Sequence, residues 1–141
     1  MGWRKDFDAL LGKTIVAVHT TAGRDAIGFV MASGETLLFW AEGDCCSRSW
    51  FEHVTGLVHL LGAEITGIKD RPMGEAIETL SPEQKRAFHD RELKLYGWTI
   101  MTTRGYFDVE MRNSSNGYYG GYIGSVTAFD PSDYPKLEAD F

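Results

Sequence analysis

The apolar positions change period several times along the chain, and each change predicts an element. From Trp3 to Leu11 the apolar residues Trp3, Phe7, Leu10 and Leu11 keep helical spacing, which predicts one short N-terminal helix. Three short apolar runs follow: Thr14 to Thr20 (TIVAVHT), Ala26 to Met31 (AIGFVM) and Thr36 to Ala41 (TLLFWA). Turns containing Gly23 and Gly34 separate them, so together they predict an antiparallel meander. Arg48 to Val54 (RSWFEHV) suits either a strand or a helix start. Gly56 to Leu61, closed by Gly62, predicts a short helix with a glycine stop, and Glu64 to Lys69 a strand with a bulge near Gly67.

Ser81-Pro82-Glu83-Gln84 is a strong helix start, with Ser81 as cap, Pro82 in the first helical position and Gln84 closing a capping box. The predicted helix runs to about Lys94, with Ala87, Phe88 and Leu95 on or near its inner face and Lys85, Arg86, Asp90, Arg91 and Glu92 in water. Trp98 to Thr103, the Arg104-Gly105 turn and Tyr106 to Arg112 predict a hairpin. In its second arm Phe107, Val109 and Met111 alternate with Asp108, Glu110 and Arg112, so one face is buried and one is wet. Asn113 to Gly117 reads as a polar turn and Tyr118 to Phe129 as a glycine-rich last strand.

These elements predict an α+β fold: a mainly antiparallel twisted sheet of about six strands with two or three short helices. A partly open β-barrel is the alternative, allowed by the glycines between Tyr118 and Gly124. The 141 residues fit one domain, with an inserted helical segment at about 71–95 and an extended acidic C-terminal arm at about 130–141.

Composition narrows the class of function. At 43% hydrophobic and 24% charged the chain is an ordinary globular protein. Twenty acidic against fourteen basic residues, net −6, speak against a protein held on nucleic acid by bulk charge. No apolar run reaches the ~18–20 residues that span a bilayer, and the opening segment lacks a hydrophobic signal core. The expectation is a cytoplasmic protein that does not bind membranes. Its two cysteines, Cys45 and Cys46, are adjacent and cannot staple distant segments together.

Asp44, Cys45, Cys46, Glu52, His53 and His59 supply the residue types of a metal or nucleophilic site. There is no CxxC pair, however, and neighbouring side chains on extended backbone point to opposite faces. The cysteines are expected to be reduced and buried, with no metal and no cofactor. An enzyme using Cys, His and Glu is the third-ranked function. Phosphate loops, dinucleotide fingerprints, HExxH and GxSxG are absent.

A binding surface is predicted at Arg112, Asn113, Asn116, Tyr118 and Tyr119, with Trp40 and Arg48 as neighbours. Asn116-Gly117 is a strong turn pair, and tyrosines at 118, 119 and 122 occupy both faces of a strand, leaving a ring for a partner. Arg112 points away from the Met111 face, so its guanidinium can meet an anion or stack on a ring, unless it pairs with Asp108 or Glu110. The plainer account of the tyrosines is edge-strand packing beneath the C-terminal arm.

Several blocks combine into a pattern. The first holds Leu10-Leu11-Gly12-Lys13-Thr14-Ile15, then Asp44-Cys45-Cys46, Phe51-Glu52, Gly56-Leu57, Leu60-Leu61-Gly62 and Ile65. The second holds Trp98-Thr99, Arg104-Gly105-Tyr106 and Ser115-Asn116-Gly117-Tyr118-Tyr119. Together they resemble a family of small bacteriophage-encoded proteins known only as a domain of unknown function, over roughly residues 8 to 128. His59 stands where that family tends to carry an acid, and Gly120-Gly121 replaces Ser-Glu, so no role built on those acids transfers. The resemblance implies an α+β fold and a phage protein acting in the cytoplasm of an infected bacterium; it supplies no catalytic residues. The expected function is a non-enzymatic accessory protein that binds and inhibits a host protein. The alternative is a sponge that sequesters a small ligand, such as a nucleotide defence signal, in a pocket lined by Tyr, Trp, Arg and Asn. The first needs a flat apolar patch and the second a concave site with convergent polar groups. A homo-oligomer is compatible with either.

Overall fold

A computed structural model describes residues 7–44, 47–71, 73, 82–83, 92–115 and 120–141. Its strands are β1 (Ile15–Thr20), β2 (Ala26–Met31), β3 (Thr36–Gly43), β4 (Arg48–Thr55), β5 (Ile65–Arg71), β6 (Glu92–Thr102), β7 (Gly105–Ser115) and β8 (Gly121–Thr127). A four-residue helix, α1 (Leu57–Leu60), joins β4 to β5. The strands form two four-stranded antiparallel sheets, ordered β1-β2-β3-β8 and β4-β7-β6-β5.

This corrects the α+β expectation, because the described residues are mostly antiparallel β, with α1 and the helical Pro82-Glu83 the α-helical residues among them. The Phe7–Leu10 stretch makes one 3-10 turn where a longer helix was predicted. The Ser81-capped helix lies largely outside the described residues, but its expected last turn is strand. Glu92 to Leu95 pair in unbroken register with β7, from Glu92 opposite Ser115 to Thr102 opposite Gly105. Eleven residues of ladder satisfy the backbone of both arms, and this outweighs the local helical spacing of Leu95. For the same reason Asn113 to Ser115 belong to β7 and not to a turn. Arg48 to Val54, open between two states in the sequence, is strand. The register between β5 and β6 shifts at Ile65 and Gly67.

The core lies between the sheets. Phe7, Phe29, Phe39 and Phe107 are buried on facing sides, with Phe7 in edge contact with Trp98 (centroids 5.2 Å) and tilted on Phe39 (4.8 Å). The sheets are stitched along one side by backbone bonds. The Gly12 N–H donates to Ile65 O (2.9 Å), that of Ile65 to Lys13 O (2.9 Å), and that of Gly62 to Ile15 O (2.7 Å). This arrangement is compatible with the partly open barrel.

Residues 128–141 lie over the outside of the first sheet. The Phe129 ring sits where a Cβ on Gly28 would be, 2.7 Å away, and covers Leu38 on a face that would otherwise be wet. Beyond it, the Thr20 N–H donates to Pro135 O (3.0 Å) and that of Leu137 to Val18 O (2.8 Å), so the segment pairs with the edge of β1. Phe141 then exchanges two backbone hydrogen bonds with Val54 of β4 (3.0 and 3.1 Å). Asp140 supplies what the start of α1 lacks locally, accepting from the N–H groups of Gly56 (3.1 Å) and Leu57 (2.9 Å). At the other end of α1, Thr102 Oγ1 donates to His59 O and Arg104 to Leu61 O (2.7 Å).

Candidate functional site

The structure separates the residues that the sequence grouped. Asn116, Tyr118 and Tyr119 lie outside the described residues, as do Cys45 and Cys46. Arg112 points away from the core, as its alternation requires, but it is 9% exposed, and its Nε donates to Glu110 Oε2 at 2.5 Å. Of the two readings of Arg112, the pairing with Glu110 on the same face is the one present, and both charges are desolvated together. Asn113 is fully buried in β7. Its Nδ2 donates to Ser49 Oγ (2.9 Å), Ser49 Oγ donates to Glu42 O (2.9 Å), and Asn113 Oδ1 is left without a partner.

Trp40 does not join this pair, whereas Arg48 shares the face of Arg112, since it pairs with Ser114 and Trp50 lies opposite Arg112. By strand alternation Trp40, between core residues Phe39 and Ala41, stands on the outer face of the first sheet, whereas Arg112 is on the outer face of the second. Arg48 is exposed on β4, its guanidinium 5.1 Å from the ring of Trp50. Glu52 accepts from Trp50 Nε1 (2.7 Å), His53 lies opposite Glu110, and His59 is on α1 against Gly105. Among the described residues no three of His, Cys, Asp and Glu gather as a metal site would require.

The concave site lies elsewhere. β5 ends at Arg71, which pairs with Gly97, so Leu93 to Tyr96 of β6 have no strand partner on that side among the described residues. The start of β8 faces this open edge. A cavity of about 280 Å³ results, near the lower end for small-molecule sites, and its lining is mainly apolar. Tyr96, Trp98, Met111 and Ile123 line it, with Tyr122 of β8 and the Asp70-Arg71 end of β5. Tyr96 also fixes the geometry, its phenol oxygen accepting from the Gly121 N–H (3.1 Å).

Glycine 97 matters here because of what occupies the place of its side chain. A Cβ there would meet Met73 Sδ at 2.7 Å and Arg71 Nε at 3.1 Å, so only glycine lets Arg71 lie across the strand. Arg71 Nε is buried without an acceptor, and its guanidinium makes no ion pair among the described residues. Asp70, the lining carboxylate, is engaged in an interaction of its own. On the outer face beyond, Lys69, Thr99, Tyr106 and Asp108 continue the depression, with Thr99 Oγ1 donating to Asp108 (2.6 Å). The site was missed in the sequence because the helix drawn through Leu95 hid the alternation of Tyr96 and Trp98. A strand beginning at Leu93 would have placed both rings on one face.

Residues 8–124 match the model of a family described as a domain of unknown function, DUF7448. An uncharacterized protein of Acanthamoeba polyphaga mimivirus is 35% identical over 85 residues, covering 59% of this chain and 62% of that protein. The chain thus spans under two thirds of that relative's length. No solved structure matches. The chain belongs to the DUF7448 family.

Proposed function

Taking the chain as a DUF7448 member, we propose that it is a non-enzymatic protein that binds and sequesters a small ligand in the cleft between β6 and β8. One observation carries this: an apolar, aromatic-walled cavity stands at the edge where β5 runs out, and the buried Nε of Arg71 beside it has no acceptor. Few convergent polar groups in an otherwise apolar cleft are what a small-molecule site requires. The viral relative supports, but no more than supports, a role during infection. In the phage version of this reading the ligand is a host defence signal withdrawn from its sensor.

Inhibition of a host protein has weaker support. Among the described residues the exposed large apolar side chains are Leu11, Val16, Val58, Tyr106, Tyr122 and Val126, spread over the start of the chain, β1, α1, β7 and β8. The test is mass spectrometry of small molecules released on denaturing the purified protein, beside an Ile123→Trp variant that fills the cleft. One molecule recovered in stoichiometric amount from the parent and lost from the folded variant is the expected result. Equal recovery from both, or a proteinaceous partner retained equally by both, moves the function off the cleft.

A further inference from the structure

Resting on that reading of the cleft, we infer that its ligand is a small planar aromatic anion, one ring system carrying a carboxylate or phosphate, and that Arg71 is the residue that recognises the charge. Three observations converge on Arg71.

The first is its want of an acceptor. A guanidinium carries five donors and stays charged, so a buried Nε with nothing to donate to is costly unless a ligand supplies an oxygen. The guanidinium of Arg112 is satisfied differently, since it holds Glu110 at 2.5 Å. The contrast is informative: two arginines lie on the same outer face of the second sheet, one paired internally and one held open.

The second is how Arg71 is held. It pairs across to Gly97, and the missing side chain there lets its Nε lie against β6 beside Met73. The backbone position is fixed by the β5–β6 ladder, so the donor is positioned before any ligand arrives.

The third is what surrounds it. Successive strand residues face opposite ways, so Asp70 stands on the Trp98 side and Arg71 on the Gly97 side of the same edge. A ligand lying across the edge of β6 presents its ring to Tyr96 and Trp98 on one side of the strand and its anionic group to Arg71 on the other. About 280 Å³ accommodates one or two fused rings with one such group. The protein as a whole is acidic, at −6, and repels anions, so a preference for an anion has to come from a local cation.

The experiment compares a matched pair of probes, 2-naphthoate and neutral 2-naphthamide, by calorimetric titration of the full chain. The parent should bind naphthoate about tenfold or more tightly than naphthamide, as expected for a charge-assisted contact in a partly desolvated site. Arg71→Gln should erase that ratio while leaving naphthamide binding within about twofold, and Arg71→Lys should restore part of it, since charge without the planar fork is a poorer match. If the two probes bind the parent equally, or the preference survives in Arg71→Gln, the assignment of Arg71 is overturned while the cleft stands. If neither probe binds at millimolar concentration, the cleft reading itself fails. Should Arg71→Gln not fold, the parent's ratio decides alone.

Discussion

The inner faces of the two sheets behave differently at their two ends, although the same alternation of side chains builds both. Toward the stitched β1–β5 side, Phe7, Phe29, Phe39 and Phe107 interlock with ring centroids 4.8 to 6.4 Å apart, and little space remains. Toward the β6–β8 side the rings of Tyr96 and Trp98 keep that orientation, but Leu93 to Tyr96 have no neighbouring strand beyond Arg71 among the described residues, and a cavity opens there. The difference is one of strand length. β6 runs eleven residues and β5 seven, so among the described residues β5 leaves the first half of β6 without a neighbour on that side. Aromatic residues on an inner face are packed into a core where the neighbouring strand continues and line a cavity where it stops.

Substitutions can break this comparison in order of size. The largest effect belongs to the closed end: Phe39→Ala should destabilise the fold by about 3–5 kcal/mol, since it leaves a cavity among rings that cannot collapse into it. Chemical denaturation should give that loss with an unchanged slope. Tyr122→Ala, at 44% exposed on the open end, should cost under about 1 kcal/mol and act on ligand affinity instead. A loss at Tyr122 equal to that at Phe39 would mean that the cleft is core.

The glycines make a second pair. Gly56 has φ +104°, and a Cβ on it would collide with the carbonyl oxygen of Tyr106, a backbone atom that cannot swing aside. Gly56→Ala should therefore lower stability by about 1–3 kcal/mol. At Gly97 the obstacles are the ends of two flexible side chains, Met73 and Arg71. Gly97→Ala should leave the melting temperature nearly unchanged and displace Arg71, reducing the preference for an anionic probe. Equal destabilisation by the two would show that Arg71 cannot move.

The smallest effect concerns the C-terminal segment. Asp130 accepts hydrogen bonds from the hydroxyl (2.8 Å) and the N–H (3.0 Å) of Ser132 at the start of the Pro131–Asp133 turn, and these hold its carboxyl below the ordinary value. A depressed carboxylate stabilises the folded state above its unfolded pKa, and that contribution fades as pH falls through the folded value. Asp130 is fully exposed, so the effect is weak. Carbon-detected titration should place Asp130 below a free aspartate, and Ser132→Ala should return it upward. No change in Ser132→Ala would break the assignment.

Much of the fold was legible in local pattern, and the reasons differ by region. The meander of β1, β2 and β3 and the β6–β7 turn at Arg104-Gly105 could be read because alternation and turn residues act within a few positions. The extent of β6 could not. Leu95 fits helical spacing and strand pairing equally well, and pairing with β7 decided between them. Arg112 was legible as outward-facing and within reach of Asp108 or Glu110, but not the burial of its pair with Glu110, which depends on what covers the sheet. Asp140 capping a helix more than eighty residues earlier left no local trace at all.

The amino-acid sequence by itself determined the β1–β3 meander, the Arg104-Gly105 turn and the alternation of Phe107, Val109 and Met111, and that the chain carries a net negative charge without a motif for phosphate, dinucleotide or metal chemistry. These follow from short-range sterics and periodicity, which each segment carries with it. Only the tertiary structure decided where β5 stops against β6, which guanidinium meets a carboxylate, and which aromatic rings face one another across a packed layer or across a cleft. Those outcomes depend on the register and length of strands far apart in the chain, and a strand's own residues do not encode where its neighbour ends.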